Sequence, residues 1–130
     1  MPYGTPLSFE TAKKVLAAAE AEARKNNWAV VITILDSTGH LSQMSRMDNV
    51  QYASIRIAEG KARTALEFRR PSKALADAVA APGGVARVTI PNTLAVQGGI
   101  PLVADGKIVG ACGASGVTSE QDEQICMAAQ

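Results

Sequence analysis

Trp28-Ala-Val-Val-Ile-Thr-Ile-Leu-Asp36, then Ser37-Thr-Gly39, then His40-Leu-Ser-Gln-Met-Ser-Arg46 is the stretch that decides the fold. Its first part is dense in β-branched residues and reads as a central strand. The second is a tight turn closed by glycine, and the third returns as a more polar strand. Strand, tight turn and strand predict an antiparallel pair, because a parallel neighbour needs a long crossover.

Upstream, Ser8 is placed to cap a helix. Ala12, Val15, Leu16, Ala19 and Ala23 recur at helical spacing, Glu20 and Arg24 stand ready for an i,i+4 ion pair, and Asn26-Asn27 ends the run. Downstream, Asp48 or Asn49 is placed to cap a second helix that reaches about Phe68 and breaks at Arg69-Arg70-Pro71. Ser72 starts a short third helix through Leu75 and Val79, stopped by Pro82-Gly83-Gly84, and residues 85–92 look irregular. Three strands are predicted near residues 93–97, 100–104 and 107–115, with Asp105-Gly106 as a hairpin turn between the last two. Thr118 or Ser119 caps a final helix whose first turn carries Glu120, Asp122 and Glu123, where acidic charge suits the helix dipole. The order αββααβββα predicts an α/β (α+β) fold, a five-stranded antiparallel sheet flanked by helices, in a single domain over residues 1–130.

Composition narrows the function. A chain of 130 residues is long enough to hold a core without metals or disulfides. A net charge of +1 with no basic block disfavours nucleic acid and membrane surfaces as partners. With 4% aromatic residues, a base-stacking platform is equally disfavoured. Cys112 and Cys126 lack metal-site spacing and are expected to be reduced thiols, which points to the cytoplasm. The longest apolar run, from Trp28 to Leu35, is too short to span a bilayer, and no signal sequence is evident.

The second helix is the most informative for chemistry. Arg56, Glu59, Arg63 and Glu67 share one side and read as a solvated face. Ile55, Ala58, Ala62 and Ala65 form a stripe of small residues suited to close packing on the sheet. Lys61 lies among Val50, Ser54, Ile57, Thr64 and Phe68, so it must snorkel outward, pair with an anion or line a cavity. His40, the only histidine, stands near a sheet end; it is either an exposed turn residue or a group that ligates haem iron or moves a proton. Gly98-Gly99 and the glycines of Gly110-Ala-Cys-Gly113-Ala-Ser115-Gly116 fit either tight helix-on-sheet packing or a pocket floor. Ser115-Gly116 precedes a helix whose free N–H groups could hold a carboxylate or phosphate.

Several blocks, in order, carry a resemblance: Leu35-Asp36-Ser-Thr-Gly39-His40-Leu41, Arg46-Met47-Asp48, Ser54-Ile55-Arg-Ile57-Ala58-Glu-Gly60-Lys61-Ala62-Arg-Thr64-Ala65 and Phe68-Arg-Arg70-Pro71-Ser72. Gly98-Gly99-Ile-Pro101, Asp105-Gly106-Lys-Ile-Val-Gly110-Ala111, Gly113-Ala-Ser115-Gly116 and Glu120-Gln121-Asp122-Glu123 continue it. Together they resemble the GlcG/HbpS family, which includes the C-terminal domain of PduO-type proteins. The resemblance implies a profilin-like arrangement around the five-stranded sheet, haem or tetrapyrrole binding in some members, and assembly as dimers to octamers. Asn49-Val50 departs from the Gly-Ala that the family often carries there, and Ala114 from a common valine.

The leading expectation is a cytoplasmic homo-oligomer that binds haem or another anionic small molecule in a sheet-end pocket. His40 would ligate the iron, Arg46 and Lys61 would meet carboxylates, and Gly98, Gly99, Ser115 and Gly116 would shape the walls. The alternative is an isomerase or tautomerase of small oxo- or hydroxy-acids, with Lys61 or His40 moving the proton and Arg46 clamping the carboxylate. A ligand-free assembly subunit is the third.

Overall fold

A computed structural model describes residues 1–130. The quoted stretch forms β1 (Val31–Asp36) and β2 (Leu41–Arg46), antiparallel as expected. Gly39 sits at φ 87° in the turn, a conformation that favours glycine. Around this ribbon lie α1 (Phe9–Lys25), α2 (Ala53–Phe68), α3 (Ser72–Ala80), a 3₁₀ turn at Val85–Thr89, β3 (Gly99–Ala104), β4 (Lys107–Ser115) and α4 (Ser119–Met127). Asp105 and Gly106 both take positive φ between β3 and β4, as a two-residue hairpin turn requires. Ser8 caps α1 through the Thr11 N–H, and Thr118 caps α4 in a reciprocal pair with Gln121.

The sheet has four strands in the order β2-β1-β4-β3, antiparallel throughout and open. This corrects the five-stranded, profilin-like expectation. Residues 93–97 do not join the sheet because the helices take up their backbone groups. The Leu94 N–H donates to Thr64 Oγ1 on α2 at 2.9 Å, and the Val96 carbonyl accepts from Ser72 Oγ on α3 at 2.6 Å. An apolar segment tied to helix side chains imitates strand composition without making a ladder. Two local expectations also fail. Asn49 occupies a left-handed turn at φ 68°, and α2 starts only at Ala53 with no side-chain cap. Glu20 and Arg24 do not pair; Glu22 instead meets Lys25 at 3.4 Å and accepts from Gln124 at 2.8 Å.

The sheet is sandwiched between helices. Ile32 and Ile34 of β1, with Cys112 and Ala114 of β4, pack against α1 and α4 through Ala12, Ala19, Ala23, Ile125 and Cys126. Val31 and Leu35 point the other way, onto Ala58, Ala62 and Leu66 of α2. The small-residue stripe on α2 therefore packs on the sheet. Its approach is close enough that a Cβ on Gly113 would overlap the Ala58 carbonyl oxygen. Fully burying each isoleucine contributes about 1.5–3 kcal/mol, so the layers are held chiefly by these faces.

Candidate functional site at the Arg46 end of the sheet

Strand register sorts the candidate residues. Val31 lies opposite Arg46 on one side and Ser115 on the other. Gly99 lies opposite Gly113 across the β3–β4 pair. Arg46, Ser115, Gly116, Gly98 and Gly99 thus gather at one end of the sheet, with Lys61 of α2 beneath them. His40 stands at the other end of β2, about 20 Å away along six residues of extended chain. There it belongs to a self-contained turn. Asp36 Oδ1 accepts from the Thr38 N–H at 2.9 Å, the Thr38 hydroxyl at 2.5 Å and the His40 N–H at 3.3 Å. The His40 ring lies 2.7 Å from the Thr38 hydroxyl through Nδ1 and is exposed. Burial acts upward on the Asp36 carboxyl, but these hydrogen bonds and the nearby imidazole outweigh it and hold the group below its ordinary value.

The interior of the Arg46 end is occupied by the chain itself. The Lys61 side chain is 2% exposed, and its Nζ donates to Asp122 Oδ2 at 2.9 Å and to the Ala114 carbonyl at 3.0 Å. Of the three options open to this lysine, anion pairing is the one realised, and the anion is internal. Asp122 also accepts from the Val117 N–H at 3.2 Å, which ties the turn after β4 to α4. Burial pushes the Asp122 carboxyl above its usual range, while the Lys61 ammonium and the Val117 N–H pull it back only in part. Ser115 Oγ donates to Ser54 Oγ on α2 at 3.0 Å. A Cβ on Gly98 would fall 2.8 Å from Lys61 Nζ, one on Gly99 would overlap the Lys61 carbonyl oxygen, and one on Gly116 the Ala29 carbonyl oxygen. These glycines are present because backbone or lysine passes over them.

The outer surface of the same end is different. An open groove of about 600 Å³ is lined by Arg24, Asn27, Trp28, Ala29, Ser45, Arg46, Met47 and Asp48. A second, of about 500 Å³, continues it from Arg46 to Tyr52. Arg46, Met47 and Asp48 belong to both. Neither Arg24 nor Arg46 takes part in any of the five ion pairs of the molecule. The groove therefore offers two free guanidinium groups against one carboxylate, Asp48, beside the indole of Trp28 and the thioether of Met47. The chemistry of this lining suits a flat apolar body with carboxylate or phosphate arms. A larger groove of about 830 Å³ runs between α2 and residues 88–94, on the face read as solvated; its Arg63 is spent on Glu59 and Glu67, which leaves Arg56 as its one guanidinium outside the ion pairs.

Arg24, Trp28 and Met47 were not singled out from the sequence as site residues. The signal for them is indirect. Arg24 lies in the last turn of α1, Trp28 follows the Asn27 turn at φ 57°, and the Met47 N–H donates to the Val30 carbonyl at 3.0 Å just past β2. Once β1 and β2 are paired, the segments before one and after the other must meet.

Comparison with known proteins places the chain among relatives. The family model described as haem degrading protein HbpS-like matches residues 7–130. Protein GlcG of Escherichia coli (strain K12) is 44% identical over 109 residues, covering 84% of this chain and 81% of that protein. The crystal structure of HbpS superposes with a TM-score of 0.89 at 32% identity, covering 99% of this chain and 91% of that one. The crystal structure of the PduOC:heme complex superposes with a TM-score of 0.86 at 30% identity, covering 96% and 93%.

Proposed function

The chain belongs to the HbpS-like family, and from that premise we propose that it binds haem, or another anionic small molecule of similar shape, in the groove at Arg46. The observation that carries this reading is the pair of unpartnered guanidinium groups, Arg24 and Arg46, flanking Trp28 and Met47. Planar guanidinium suits propionate or other carboxylate arms, and the indole and thioether suit a flat ring. The donor chemistry fits as well. Met47 and Tyr52 carry side chains of the types that hold haem iron, whereas the larger groove beside α2 is lined by no histidine, methionine, cysteine or tyrosine. With Arg46 as the anchor, His40 falls outside the groove. The related PduOC has been crystallised with haem, which favours haem among the candidate ligands.

The enzyme alternative draws less support. Of its two proposed bases, Lys61 is buried against Asp122, and His40 stands at the opposite end of β2 from Arg46, the residue that would clamp the carboxylate. Exposed apolar side chains on β2 and beyond it, Leu41, Met44 and Tyr52, with Val85 and Val88 on the 3₁₀ turn, favour a homo-oligomer. The two free thiols suit a reducing, cytoplasmic setting. Titrating the wild type and Met47→Ala with hemin, followed by visible absorption, tests the reading. Saturable binding by the wild type and an altered Soret band in the variant are expected. A wild type that leaves the hemin spectrum at its free-solution form would overturn it.

A further inference from the structure

Cys112 of β4 and Cys126 of α4 meet in the middle of the core, on the sheet face covered by α1 and α4. Both are buried and unbridged. The Cys112 thiol donates to Cys126 Sγ across 2.9 Å, and the Cys126 thiol donates to the Gly98 carbonyl at 3.4 Å. Close sulfur contact alone is compatible with two inert core thiols. One further feature sets this pair apart. The residues come from different elements separated by 14 positions, so a bond between them would fasten α4 to β4. Burial, the Cys112 contact and Asp122 push the Cys126 thiol well above its ordinary value, and the Lys61 ammonium offsets them only in part, so the closed core keeps Cys126 as a thiol.

We propose that Cys112 and Cys126 are a reversible oxidation site, converted by hydroperoxide into an intrachain disulfide that locks the C-terminal helix onto the sheet. Because both sulfurs are sealed from solvent, the first step needs α4 to lift, which also opens the Lys61–Asp122 pair and uncovers Ile125. Opening of this kind is sub-global and costs less than global unfolding, though more than the fraying of a loop. In the opened form one thiolate attacks a peroxide oxygen. The O–O bond breaks, the sulfur gains the hydroxyl as a sulfenic acid, and the other oxygen leaves as water after taking a proton. When α4 closes, the second thiol meets the sulfenic sulfur at contact distance, the S–S bond forms and the hydroxyl departs as a second water. Two thiols and one hydrogen peroxide thus give one disulfide and two waters. The closed form, being dry and in contact, favours this outcome over further oxidation of the sulfenic acid.

The test is to expose the intact wild-type protein to hydrogen peroxide, quench it, and map its peptides without reduction. The expected result is a cross-linked pair of peptides containing Cys112 and Cys126, lighter by two hydrogens and separated again by dithiothreitol. The oxidised protein should also unfold at a higher denaturant concentration than the reduced one, and Cys112→Ser and Cys126→Ala should each abolish both changes. Cysteines recovered as sulfinic or sulfonic acids, or unmodified after the methionines have been oxidised, would overturn the proposal. So would a disulfide joining two chains.

Discussion

Lys61 and Arg46 sit at the same end of the sheet, carry the same charge, and have opposite fates. Lys61 lies under the sheet, where Asp122 and the Ala114 carbonyl take up its ammonium. Arg46 lies at the surface and has no ion-pair partner in the chain. The interior cation cannot be left bare, because an unpaired buried charge is too costly, so its partner is built into the fold. The surface cation is tolerated unpaired because water solvates it, which leaves it free for a ligand. On the proposed reading, the partner of Lys61 is internal and that of Arg46 is the ligand.

The comparison breaks most decisively on the interior side. Lys61→Ala strands Asp122 in the core and is expected to cost about 3–5 kcal/mol of stability, read from urea denaturation. Replacing both partners with apolar residues, Lys61→Met with Asp122→Leu, should recover much of that loss. If Lys61→Ala left the urea midpoint unchanged while weakening hemin binding, the two residues would have exchanged roles. The surface side should respond in the other currency. Arg46→Ala is expected to weaken hemin binding roughly tenfold, about 1.4 kcal/mol, while moving stability by less than about 0.5 kcal/mol. Arg24→Ala should act in the same direction. Parallel isothermal titration and urea melts distinguish the two kinds of cation.

The smallest effect belongs to the far end of β2. Asp36 is held below its ordinary value by the Thr38 and His40 hydrogen bonds, so its contribution to stability is present above the ordinary carboxylate range. That contribution is lost as pH falls through the depressed folded value. Asp36→Asn is therefore expected to cost on the order of 0.5–1 kcal/mol near neutral pH and progressively less in acid. Urea melts of both proteins across the acid range check this, and a penalty that grew on acidification would show that Asp36 is not what holds the turn.

Much of this was legible in the residues. The β1–β2 pair, the Asp105-Gly106 hairpin, the caps at Ser8 and Thr118 and the small face of α2 all follow from local chemistry, and the structure has them. Residues 93–97 misled because β-like composition is also what packs between helices; only tertiary partners, Thr64 and Ser72, show that the ladder is absent. Lys61 stood out as a cation among apolar neighbours, with snorkelling, pairing and cavity lining all open; its partner lies 61 residues away, beyond any local pattern. The glycine stretches left packing and pocket equally open, and the overlaps at Gly98, Gly99 and Gly116 bring packing to the fore. Arg24, Trp28 and Met47 stayed hidden because the groove exists only where the ends of separate elements meet.

The claim that the Arg46 groove, and not the His40 turn, receives the ligand is tested most directly by one pair of hemin titrations. The Arg24→Ala, Arg46→Ala double variant should lose roughly a hundredfold in affinity, the sum of two carboxylate contacts of about 1.4 kcal/mol each. His40→Ala should bind within about twofold of the wild type, a difference well under 1 kcal/mol. Loss of binding in His40→Ala, with affinity retained in the double arginine variant, would contradict the account and move the site to the other end of the sheet.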